Sequence, residues 1–200
     1  MRIFRWVVAV AAISSLGATV GLRAEDRPID VERSTLTVFA YKSGLFSAFA
    51  DNHTIRAPIA GGSISEELPY HIQLSVRSAD LKVLDPDLGD SRRAEVQTRM
   101  VGPEVLDASK YRDITFASTR IDTAGPDRWT VTGNLTIHGQ THVITFSAAR
   151  KDRTYRGDVL VKQRDFGIEP IKVAGGTVKV KDELKVQFEI VAAGAPVQSR

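Results

Sequence analysis

At 200 residues with 42 % hydrophobic side chains, the chain is long enough to enclose one sizeable core and demands no second domain. The absence of cysteine excludes thiol nucleophiles, thiolate metal sites and disulfides. The formal charge of +3 comes from Arg2, Arg5 and Arg23, which precede the first acidic residue and leave 24 basic against 24 acidic side chains, so nucleic acid is not an expected partner.

Residues 1–24 have the order of a secretory signal: Arg2 and Arg5, an apolar run from Trp6 to about Leu22, then Ala24 ahead of Glu25. Cleavage after Ala24 is expected, with residues 25–200 forming one domain in the periplasm or outside the cell and no stable membrane insertion afterwards. An uncleaved anchor is the alternative, because the run is broken by two serines and two glycines and is close to the shortest that spans a bilayer.

From there the dominant period is two, the mark of strands with one buried face. Leu36, Val38 and Ala40 alternate in STLTVFAYK, Ile55, Ala57 and Ile59 in HTIRAPIAGGSI, and Ile72, Leu74 and Val76 in YHIQLSVRSADL. The pattern breaks over residues 82–112, where Asp90 or Ser91 is placed to cap a helix through RRAEVQTRMV with Val96 and Met100 one turn apart. Gly102-Pro103 ends that helix, and Pro103 opens a short turn holding Val105 and Leu106. Alternation resumes in DITFASTRI, RWTVTGNLTIHG, HVITFSAARK, TYRGDVLVKQ and TVKVKDELKVQFEIVA. Turn residues at Gly61-Gly62, Leu68-Pro69, Gly125-Pro126-Asp127, His138-Gly139 and Gly175-Gly176 punctuate the series. Short links make neighbours antiparallel. The expectation is an all-β fold of eight antiparallel strands, with a short helical insertion between the third and fourth, closed as a barrel; a two-sheet sandwich fits the same count. A barrel of that size can hold one small ligand.

His138 and His142 invite a metal reading. They share parity with Thr130, Thr132, Asn134 and Thr136, so both are expected to face water at a hairpin end, and a third ligand from His53 or Asp51 would be needed. Asp51-Asn52-His53 reads as a turn leading into a strand, and no GxSxG nucleophile elbow is present. No cofactor, no metal and no catalytic residue is therefore assigned. A histidine-dependent metalloenzyme or hydrolase and a solid-cored structural or interaction protein stand as the rival readings.

Several spaced stretches carry a family likeness. The run from Arg93 through Val96, Met100, Val105-Leu106 and Tyr111 into ITFASTRI, then VTGNLTIHGQTHVITF, then DFGIEP and GGTVKVKDELKVQFEIVA, resembles the YceI-like family of lipid and polyisoprenoid binders. With SGLFSAFADNHTI the resemblance covers about residues 30–192. Asp51-Asn52-His53 departs from it, standing where a glycine would end a GxFxxFxG-like pattern. The resemblance implies a lipocalin-like barrel, exported and without catalysis, whose apolar interior takes an isoprenoid or other long-chain lipid. On that reading Phe46, Phe49, Val96, Met100, Leu106, Phe116, Leu135 and Phe188 are the candidate cavity wall, against the plainer reading of all of them as core. Arg92, Arg93 and Arg99 are the candidate head-group ligands, against the plainer reading of a solvated helix face. The oligomeric state is left open, a homodimer included.

Overall fold

The computed structural model describes residues 26–43, 52–173 and 178–194. Within them the elements are β1 (Arg27–Pro28), β2 (Thr35–Ser43), β3 (His53–Arg56), β4 (Ile59–Ser65), β5 (His71–Arg77), β6 (Lys82–Val83), α1 (Asp90–Val101), β7 (Asp113–Gly125), β8 (Arg128–Ile137), β9 (Gln140–Lys151), β10 (Thr154–Lys162), β11 (Lys172–Val173) and β12 (Val178–Val191). The expected signal segment 1–24 and the Gly175-Gly176 turn lie outside the described residues.

All the strands belong to one antiparallel sheet, ordered β1-β4-β5-β7-β8-β9-β10-β12-β2-β3-β6, with β11 paired off this path to β12. The all-β antiparallel expectation holds, but the count of eight does not: eleven strands make the path and a twelfth sits beside it. One cause is Pro58. Lacking an N–H, it divides HTIRAPIAGGSI into β3, which pairs with β2, and β4, which pairs with β5. Gly61-Gly62 is consequently no turn; it lies inside β4, opposite Ser75 and Leu74. The other additions are two-residue ladders that periodicity cannot register. The helix lies between β6 and β7 rather than after a third strand, and its N-cap is Gly89, with no side-chain cap bond, in place of Asp90 or Ser91.

Two links draw the ends of this order together into a barrel-like sheet. The chain runs from β3 straight into β4, Ala57 donating its N–H to the Leu36 carbonyl (2.9 Å). Residues 28–30 lie between β4 and the end of β12: Ile29 N–H bonds Gly62 (3.0 Å), Asp30 N–H bonds Val191 (2.9 Å), and Ala193 N–H bonds Pro28 (2.9 Å).

The enclosed side chains form two clusters. One is aromatic, with Phe116, Tyr155 and Phe188 buried and Trp129 and Phe146 packed on them. The other is mainly aliphatic, with Ile55, Val76, Leu81, Val83, Met100, Leu106, Val161 and Ile168 around Phe166. Leu36, Leu74 and Leu135 touch both. In the aromatic half, glycines make room for rings: a Cβ on Gly133 would meet Phe116 Cε2 at 2.7 Å, and one on Gly157 would meet Phe188 Cζ at 2.6 Å. The phenylalanines therefore lie down over neighbouring strands instead of filling the axis.

Candidate functional site

The interior is hollow in two chambers. One, of about 270 Å³, runs along the aromatic half, and the other, of about 390 Å³, runs under α1. Val38, Leu81, Ile114, Ile137, Val161 and Val186 line both, so the chambers adjoin at an aliphatic waist. A cavity walled by methyl and ring carbon gives a hydrocarbon chain a place to leave water and offers few polar groups to orient anything else.

The far end of the first chamber is bordered by polar contacts. Tyr155 Oη donates to Glu66 Oε1 (2.7 Å), and Glu66 Oε2 accepts from Arg27 Nη1 (2.7 Å). Burial and that bond to a carboxylate push the Tyr155 phenol up to about 12. Arg150 is tied to Asp127 (2.6 Å), a bond that raises its pKa further, and its guanidinium lies 5.6 Å from the Trp129 ring centre and 5.9 Å from that of Tyr155. Among the described residues no buried side-chain polar atom is left without a partner.

The second chamber opens where α1, β2, β3 and β12 converge. Val96, Met100 and Leu106 form its wall, and Arg92 and Arg99 stand at its rim together with Lys42 and Lys179. Arg93, the third arginine of the expected head-group set, lines neither chamber. It ties the helix down instead, donating to the Asp85 and Leu88 carbonyls (3.2 and 3.1 Å) and pairing with Asp90. Gln97 adds a clasp to β6: its Nε2 donates to the Leu81 carbonyl (2.8 Å) and its Oε1 accepts from the Val83 N–H (2.9 Å). Phe116, Leu135 and Phe188 line the first chamber, whereas Phe46 and Phe49 lie outside the described residues.

The histidines each have a separate setting. His138 adopts a positive φ of 50° in the two-residue turn and packs against Tyr111 with the rings tilted by 57° and their centres 4.3 Å apart. The expectation that His142 shares the outer face with it is corrected. Ile137 pairs with Gln140 across the two-residue turn, so even-numbered residues of β9 oppose odd-numbered residues of β8, and His142 pairs with Leu135 on the inward register. It stays exposed because it sits at the end of the sheet, edge-on to Phe166 at 5.1 Å. His53 lines the second chamber, its Nδ1 2.6 Å from Oδ2 of Asp85, whose Oδ1 accepts the Thr54 N–H (2.7 Å). Among the described residues no group of three His, Asp or Glu side chains is arranged to hold a metal, and no helix is long and apolar enough to cross a membrane.

Sequence reasoning did not name Asp85, Glu66 or Tyr155 as members of the interior, and it set Trp129 on the apolar face of its strand without assigning it to the cavity wall. Trp129 and Tyr155 carry an inward alternation signal, but Asp85 and Glu66 reach their partners from irregular segments with no period to follow.

Residues 28–192 match the family model of the YceI-like domain. A UPF0312 protein of Vibrio cholerae is 34% identical over 108 residues, covering 49% of this chain and 56% of the relative. A UPF0312 protein of Pseudomonas putida is 40% identical over 58 residues, covering 29% and 30%. The chain thus spans about half the length of the Vibrio relative it matches and less of the other. Among solved structures, BcnA of Burkholderia cenocepacia aligns with a TM-score of 0.64 at 21% identity, covering 82% of this chain and 99% of that one. A polyisoprenoid binding domain from Saccharophagus degradans, implicated in plant cell wall breakdown, aligns with a TM-score of 0.55 at 16% identity, covering 83% and 98%. At these identities the likeness is one of fold.

Proposed function

The chain belongs to the YceI-like family, and on that footing we propose that it is an exported lipid carrier that encloses the apolar tail of an isoprenoid or similar long-chain amphiphile and makes or breaks no bond. The single observation that carries this reading is the waist: six aliphatic side chains are shared by both chambers, and a long apolar chain, unlike a compact molecule, can occupy the two in succession. The polyisoprenoid binding described for the Saccharophagus degradans domain fits a cavity of this kind. Each methylene taken out of water contributes about 0.8 kcal/mol, so tail length sets affinity.

The rival readings find less support. Two open chambers do not suit a solid-cored protein. A hydrolase using His53 as its base would need a hydroxyl or thiol nucleophile beside Nε2, and the described residues lining the second chamber include no Ser, Thr or Cys. Residues 1–24 supply the export signal of this proposal, and the periplasm or the cell exterior is where the carrier works.

The test is organic extraction of the protein purified from its own host, followed by mass spectrometry. A stoichiometric long-chain isoprenoid or related lipid is expected. Protein that carries no lipid and takes up none of a graded series of prenyl alcohols overturns the proposal.

A further inference from the structure

The mouth of the second chamber is chemically lopsided. Four cationic side chains line it, Lys42 from β2, Arg92 and Arg99 from α1 and Lys179 from β12. Against them stand Glu95, and Asp85 behind His53. Arg99 has Glu104 as a neighbour at 3.5 Å, a long contact between two largely exposed side chains that leaves most of its donors to solvent. A tail inserted through this opening leaves its head among these charges.

His53 is the part of the mouth built with the most care. Asp85 is 6 % exposed, and its two oxygens are fixed by the His53 ring and by the Thr54 N–H. Its own backbone carbonyl accepts from Arg93. A carboxylate held this way keeps the imidazole in one orientation with the proton on Nδ1, leaving Nε2 as the ring atom available to a neighbour. A buried carboxylate whose only side-chain partner is a ring lining a cavity does little for an apolar tail. It does much for a head that needs one aimed hydrogen bond.

We propose that this mouth selects amphiphiles whose head is a phosphate monoester, with Asp85 positioning His53 to hydrogen-bond one phosphate oxygen while Arg92, Arg99, Lys42 and Lys179 hold the others. The inference rests on the lipid-carrier reading above and gives that carrier its head-group class. A phosphate monoester suits both halves of the site. At neutral pH it presents anionic oxygens to guanidinium and ammonium groups and, in its singly ionised form, a P–O–H to a neutral Nε2. When His53 instead carries both protons, Nε2–H donates to the dianion and the geometry is unchanged.

Calorimetric titration of the full chain with geranylgeranyl monophosphate, geranylgeraniol and inorganic phosphate tests it. The monophosphate is expected to bind at least about tenfold tighter than the alcohol, with an advantage that shrinks as salt rises. Inorganic phosphate alone binds far more weakly, since it brings no tail. In the double variant Arg92→Ala, Arg99→Ala, and separately in His53→Leu, the advantage falls to about threefold or less, while His53→Gln restores part of it. Circular dichroism melts of each variant report an intact fold, and the readout is the ratio of monophosphate to alcohol affinity within each variant, so a change common to both ligands does not count. Equal binding of alcohol and monophosphate by the unaltered chain overturns the proposal and leaves the carrier reading standing. An advantage that survives all the substitutions also overturns it, as does inorganic phosphate binding as tightly as the prenyl ester. Failure of both prenyl compounds to bind sinks the carrier reading and this inference with it.

Discussion

The two halves of the interior are built on different plans. The far half is a woven wall: Phe116 lies over Gly133, Phe188 over Gly157, Phe146 sits between them at 5.5 and 5.3 Å, and the end is bordered by the Tyr155–Glu66–Arg27 chain. The mouth half is aliphatic and partly roofed by a helix that no ladder holds; its ties to the wall include Gln97 and Arg93. A strand ladder resists opening as a unit, whereas a helix held by side-chain clasps can lift by giving up a few exchangeable bonds. The rigid half suits measuring a tail and the hung half suits admitting it.

Three experiments sharpen or break that contrast. The largest effect is expected from blocking the waist. Val38→Trp, a half-buried position facing both chambers, should cut the affinity for a long prenyl chain by about a hundredfold, because every excluded methylene forfeits about 0.8 kcal/mol. The same variant should lose less affinity for a short prenyl chain, since the mouth chamber keeps the rest of its wall; equal losses for both would mean that the chambers are not occupied in sequence. Next comes the woven wall. In Gly157→Ala the new methyl would overlap the Phe188 ring and the Ser147 carbonyl, so urea unfolding should show a loss of about 1–3 kcal/mol. A melt unchanged within error would show that the far half yields as readily as the mouth.

The smallest effect concerns this polar border. The native protein holds the Tyr155 proton up to about 12, while the unfolded chain releases it near 10. Between those values the unfolded state binds fewer protons than the native state, so stability falls as pH rises through the window. Tyr155→Phe, which has no such proton, should show a flatter decline over that range when melts are followed by circular dichroism. A decline as steep as that of the unaltered protein would place the loss elsewhere.

How much of this was readable beforehand follows from which features have a period. The inward faces of the long strands are written as alternation, so Phe116, Leu135 and Phe188 were recognisable as interior residues. Val96 and Met100, one helical turn apart, marked the buried side of α1. Where regularity stops, legibility stops. Pro58 changes the partners of a strand without altering its pattern, and a two-residue turn reverses which residues of β9 share a face with β8, moving His142. Asp85 meets His53 across 32 positions of chain that include β4, β5 and β6, helped by no spacing rule, and Arg93 turns away from the mouth to bond the nearby carbonyls of Asp85 and Leu88. Polar pairing is decided by what lands nearby in space, and only the folded chain reveals that.

The amide of Gln97 has one more consequence. It occupies the Val83 N–H and the Leu81 carbonyl together, so a single side chain spans helix and sheet between the flanking glycines, Gly89 and Gly102. On the carrier reading proposed above, a shorter or bulkier residue at position 97 is expected to hasten loading and discharge while the woven half stays as it is.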